Sequence, residues 1–135
     1  SNPSIPHIKR KVNELCLKGE VSTKEILINT DEYKLYHELA FSPRKGEKII
    51  GKGEAAAIAL AKTYNGIIAS NNLKDISKYV EKYGLEHVTT GDILVDALNK
   101  RYIDEETGNQ IWSNMIRKQR MLPTATFSEY LKKLK

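Results

Sequence analysis

The sequence is short of most of what would place it outside ordinary globular proteins. It has a single cysteine, Cys16, so no internal disulfide can form, and no CxxC pair suggests a zinc site. Four prolines and eight glycines in 135 residues are too few for a collagen-like or low-complexity chain. No apolar run reaches the 18 or so residues of a membrane span, and no basic-then-apolar leader opens the chain. Those absences lead to the expectation of a soluble, cytoplasmic protein with reduced thiol chemistry and no membrane partner. What is present suits one core: 40% hydrophobic and 29% charged residues over 135 positions, the size of a single domain. Residues 1–135 are read as that domain, with 1–4 as a tag remnant and extended lead-in.

The net charge of +5 is unevenly spread. Residues 1–116 hold sixteen cations and sixteen anions, whereas 117–135 hold Arg117, Lys118, Arg120, Lys132, Lys133 and Lys135 against Glu129 alone. Such a tail can track a phosphate backbone. A solvated helix face, with cations favoured at its C-terminus, explains it as well.

Hydrophobic spacing predicts a helix over 8–17, stopped by Gly19, and a β-branched strand over 25–29. Thr30 and Asp31 offer caps to a helix carrying Tyr33, Leu35, Tyr36 and Leu39. After a polar loop at 42–46, the five alanines in 54–62 give the strongest helix, expected to bury itself against a sheet and to end at Asn65-Gly66. A central strand over 67–70, a helix over 73–83 stopped by Gly84, and a strand over 87–90 follow. Helices over 92–100, 104–119 and 126–134 close the chain, the last with a capping box between Thr126 and Glu129. Strands alternating with helices imply parallel pairing, hence an α/β three-layer sandwich with a short, mainly parallel sheet.

In such a unit the ligand crevice lies beyond the carboxyl ends of the strands. Asn71, Asn72, Asp75, Thr90 and Asp92 should share that rim. The helix leading into strand 67–70 must run antiparallel to it, which brings Glu54 to the same place. Glu54, Asp75 and Asp92 would form an oxygen-rich site suited to Mg²⁺ or Mn²⁺. Each also has a plain structural explanation: a first-turn acid, an Asx turn or a helix cap. A competing pattern, Gly51-x-Gly53-x-x-Ala56, fits the dinucleotide fingerprint, but it lacks a clean preceding strand and an acid after the next one, and Glu54 would face the pyrophosphate. The three histidines, His7, His37 and His87, are dispersed without metal spacing, and Trp112 reads as core.

The segments Gly51-Lys-Gly-Glu54-Ala-Ala-Ala-Ile-Ala-Leu-Ala61, Ile67-Ile-Ala-Ser-Asn-Asn72-Leu-Lys-Asp75 and Thr89-Thr-Gly91-Asp-Ile-Leu94 together resemble the second half of PIN-domain proteins. The likeness spans roughly residues 49–131. That superfamily consists largely of metal-dependent ribonucleases, including the toxins of many bacterial toxin–antitoxin pairs. The resemblance implies an endoribonuclease using Mg²⁺ or Mn²⁺, with Glu54 and Asp75 as acids and Asn72 as a ligand or water-positioning group. Lys52, Lys74, Arg117 and Arg120 would then hold RNA phosphates, and an antitoxin-type protein would be a partner. Only four residues precede Ile5, so the family's opening strand and its Asp are expected to be absent, with Asp31 the one stand-in. That departure leaves two expectations: a truncated PIN-like nuclease short of one carboxylate, or a non-catalytic module binding nucleic acid or protein through its basic C-terminal helices. An uncovered sheet edge would favour a homodimer.

Overall fold

The computed structural model describes residues 5–135. Its elements are α1 (Ile5–Leu17), α2 (Asp31–Phe41), α3 (Lys52–Tyr64), β1 (Ile67–Ala69), α4 (Leu73–Tyr83), β2 (Glu86–Val88), α5 (Thr90–Asn99), α6 (Glu105–Arg117) and α7 (Phe127–Lys133). The described residues are therefore mixed α/β and mostly helical, with one β–α–β unit. β1 and β2 pair in parallel, Ile67 opposite Glu86 and Ala69 opposite Val88.

Local chemistry accounts for most boundaries. The Thr30 hydroxyl accepts the Tyr33 N–H and starts α2. α3 ends where Asn65 turns left-handed, and α4 ends at Gly84 with φ +61°, the conformation that closes helix C-termini. Thr89 and Asp92 form a reciprocal capping box at α5. At α7 Thr126 accepts the Glu129 N–H, and the Glu129 side chain makes no return bond to the Thr126 N–H, so the expected box is one-sided.

Two expectations fail. Residues 25–29 form no strand: Leu27 and Ile28 are 59% and 70% exposed, and the Thr30 hydroxyl donates to the Leu27 carbonyl at 2.6 Å. A strand is stable only with a ladder partner, and none lies alongside among the described residues. β1 is not central either. Among the described residues it pairs only with β2, and Ile67 is 60% exposed.

The apolar residues gather into two clusters. The first joins α2, α3, β1 and α4 through Leu39, Ile50, Ala55, Ile58, Ile68, Ile76 and Tyr79. Here α3 uses its alanines to approach α2 most extensively, and touches α4 and β1 as well. The second joins α5, α6 and α7 around Leu94, Trp112 and Phe127. Trp112 and Phe127 are fully buried with ring centroids 5.7 Å apart. Gly108 in α6 makes that possible, because a Cβ there would stand inside the Phe127 ring. Among the described residues no helix is long and apolar enough to cross a membrane.

Candidate functional site

The topology decides which residues share an edge. α4 connects two parallel strands, so it runs antiparallel to both. α3 packs on β1 and joins it through the short turn at Asn65 and Gly66, so it too runs antiparallel to β1. The N-termini of α3 and α4 therefore lie at the end where β1 finishes, and α5 starts where β2 finishes. Each of these first turns carries one acid: Glu54, Asp75 and Asp92. Lys52 opens α3 and Lys74 lies in the first turn of α4.

The carboxylates do not assemble into one cluster. Among the described residues no three His, Cys, Asp or Glu side chains are grouped to hold a metal. Asp92 accepts the Thr89 N–H at 2.9 Å and is exposed; its role there is that of a helix cap. Glu54 folds back over its own helix start, with Oε2 close enough to clash with a Cβ on Gly51. Asp75, half-buried, accepts the Asn72 Nδ2 at 2.8 Å. Asp31 occupies the first turn of α2.

The amides stitch the edge together. Asn71 donates from Nδ2 to the Thr90 hydroxyl at 2.9 Å, and its Oδ1 accepts the Thr90 N–H at 2.8 Å. That pair links the exits of the two strands. The Asn72 N–H donates to the Ser70 hydroxyl at 3.1 Å, while the Ser70 N–H continues the ladder to the Val88 carbonyl.

Two depressions flank the start of α4. One, of about 300 Å³ with mostly apolar walls, is lined by Asn71, Leu73, Thr89, Met121, Leu122, Pro123 and Tyr130. Its outer wall is the loop after α6, held down by the Trp112 Nε1 donating to the Thr124 carbonyl at 2.8 Å. Tyr130 reaches its place because Gly91 has no side chain: a Cβ there would meet the phenol ring at 2.5 Å. The other depression, of about 240 Å³, is lined by Gly46, Lys48, Ile50, Lys74, Asp75, Lys78 and Tyr79.

Beside the second depression, Glu47 pairs with Lys82 at 3.3 Å and Lys78 at 3.6 Å. Partial burial pushes the Glu47 carboxyl up, but the two ammonium groups outweigh it and hold it below the ordinary range. Burial, and then the neighbouring Glu47 charge, push the Tyr79 phenol above its usual value. Lys48 and Lys74 have no carboxylate within salt-bridge distance among the described residues. The same holds for Arg117 and Arg120; Arg117 donates to the Asn114 Oδ1 at 2.7 Å. Lys52 points elsewhere, its Nζ 5.3 Å from the Phe41 ring centroid.

Sequence reasoning brought out the strand-exit residues and missed Lys48, Lys78, Met121, Leu122, Pro123 and Tyr130. The i,i+4 spacing of Lys74, Lys78 and Lys82 was an available signal for the cationic face. The apolar wall had none, since it depends on a loop fifty residues downstream of Asn71. No protein-family model matches the chain, and neither a curated protein nor a solved structure matches it.

Proposed function

We propose that this chain acts on RNA phosphodiesters as a PIN-like, metal-dependent endoribonuclease. The observation that carries the reading is the antiparallel placement of α3 and α4 against β1, which delivers Glu54, Asp75 and Asn72 to the strand-exit edge. The parallel β–α–β unit with α3 packed on β1 and α4 supports taking the fold as a reduced PIN-like arrangement, although the β1 face carrying Ile67 is open where a third layer would lie. Oxygen donors suit Mg²⁺ or Mn²⁺, and Mg²⁺ commonly uses one or two carboxylates together with substrate phosphates rather than a closed protein cage. Glu54 and Asp75 fit that sparse mode; Asp92, committed to its cap, contributes less. When bound, the cation would neutralise phosphodiester charge and make a water more acidic. The chain's own residues do the rest. Asn72 holds the Asp75 carboxylate in place, while Lys74, Arg117 and Arg120 position the phosphates.

Labelled single-stranded RNA incubated with Mn²⁺ tests this directly. Cleavage is expected from the natural protein and its loss, by at least 100-fold, from Glu54→Gln and Asp75→Asn. Cleavage indifferent to both changes would remove the reading. A specific observation favours a second reading, a non-catalytic RNA-binding module: among the described residues Arg117 and Arg120 have no carboxylate within salt-bridge distance, and the three edge acids form no common group. Salt-sensitive RNA binding without cleavage under any divalent ion would select it.

A further inference from the structure

The two depressions are divided by consecutive residues of one helix. Leu73 lines the apolar one; Lys74 and Asp75 line the cationic one. We infer that together they form a nucleotide subsite for single-stranded RNA. The apolar depression takes one unstacked base, and Lys74 and Lys48, beside the Glu47-paired Lys78, hold the adjoining phosphate. The inference rests on the proposed action on RNA and adds where the strand is gripped.

Size, chemistry and charge agree on this occupant. About 300 Å³ lies at the small end of ligand pockets. Its walls supply flat and flexible apolar surface from Leu73, Met121, Pro123 and Tyr130, and its polar edge is limited to Asn71, Thr89 and the Tyr130 hydroxyl. An aromatic ring with a few polar edge atoms matches such a lining, and base stacking on an aromatic side chain tolerates any sequence. A lipid or apolar peptide would match the walls but not what surrounds them. Arg117, Lys118 and Arg120 lead directly into Met121, and Lys74 follows Leu73. Cations next in sequence to the lining residues Met121 and Leu73 fit a chain that alternates aromatic groups with anions.

The site is also built before anything binds. Both amide groups of Asn71 engage Thr90, Trp112 anchors the loop through Thr124, and Tyr130 packs tilted against Trp112 at 5.3 Å between centroids. Leu73 and Met121, in contrast, are 40% and 61% exposed, so shortening them leaves the fold intact.

The test is fluorescence anisotropy in EDTA, which suspends cleavage, using a labelled oligouridylate and an abasic strand with the same number of phosphates. Leu73→Ala combined with Met121→Ala is expected to weaken the oligouridylate about tenfold and leave the abasic strand unchanged. Lys48→Ala with Lys74→Ala should weaken both strands and flatten the salt dependence. Equal effects of the first pair on both strands, or none on either, would overturn the base subsite. If Arg117→Ala and Arg120→Ala still weaken RNA in that case, the proposed action on RNA survives while this inference falls. No binding of either strand would sink both, as would an equally tight hold on polyglutamate of matched charge.

Discussion

Replacing Gly108 with alanine sets two physical effects against each other. Within a helix, Gly→Ala alone should stabilise by about 1 kcal/mol, because glycine has more backbone freedom to lose. In this fold the new methyl has no room. An ideal Cβ on Gly108 would overlap the Phe127 ring, with Cε2 at 2.5 Å and Cδ2 closer still. The ring cannot swing away: it is fully buried and packed against Trp112. The methyl must push α6 and α7 apart, and overpacking of this kind costs about 1–3 kcal/mol. With the steric cost near its upper end, the net is a loss of about 2 kcal/mol, or roughly 6 °C in Tm for a domain this size. Thermal unfolding followed by circular dichroism reads it. The cause is isolated by repeating the substitution with Phe127→Leu, where the shorter side chain should make Gly108→Ala neutral or stabilising. A natural-background Gly108→Ala that melts higher than the parent would refute the reasoning, because helix propensity would then have won against a wall that is not there.

Three further outcomes follow from the same structure. Thr89→Ala removes the side-chain half of the α5 capping box and should cost about 1 kcal/mol in chemical denaturation, whereas Thr126→Ala loses only a one-way cap. Glu47 has its pKa depressed by Lys82 and Lys78, so its contribution to stability is complete above its reference value of 4.5 and is lost as pH falls through the lowered pKa. Glu47→Gln should flatten that acid limb in a stability-versus-pH series while leaving neutral pH less stable than the parent. Arg117→Ala with Arg120→Ala should reduce the slope of log affinity for single-stranded RNA against log salt by about 1.4, taking about 0.7 per phosphate.

How much of this was written locally differs from element to element. The helix over 73–83 was readable to the residue, since its amphipathic pattern is uninterrupted and Gly84 supplies the left-handed stop. The strand-exit placement of Asn71, Asp75 and Thr90 was also readable, because parallel topology alone dictates it. Residues 25–29 misled for the opposite reason: their β-branched run satisfies propensity, but pairing is a property of a neighbour and not of the run. Thr89 and Thr126 carry the same spacing to an acid three residues on, yet only Asp92 bonds back. What remained hidden was the apolar depression. It arises where Gly91 admits Tyr130 and where Trp112 fastens Thr124, contacts whose sequence separation leaves no periodic trace.

The apolar depression lies on the seam between the two cores. Asn71 and Leu73 belong to the β1–α4 side, whereas Leu122 and Tyr130 pack with Trp112 and Phe127. Anything lodged there grips both halves at once, so occupancy works as a rivet, raising the cost of parting them in proportion to the logarithm of ligand concentration over its Kd. Melting behaviour under titration thus reports on the cleft without any need to observe catalysis.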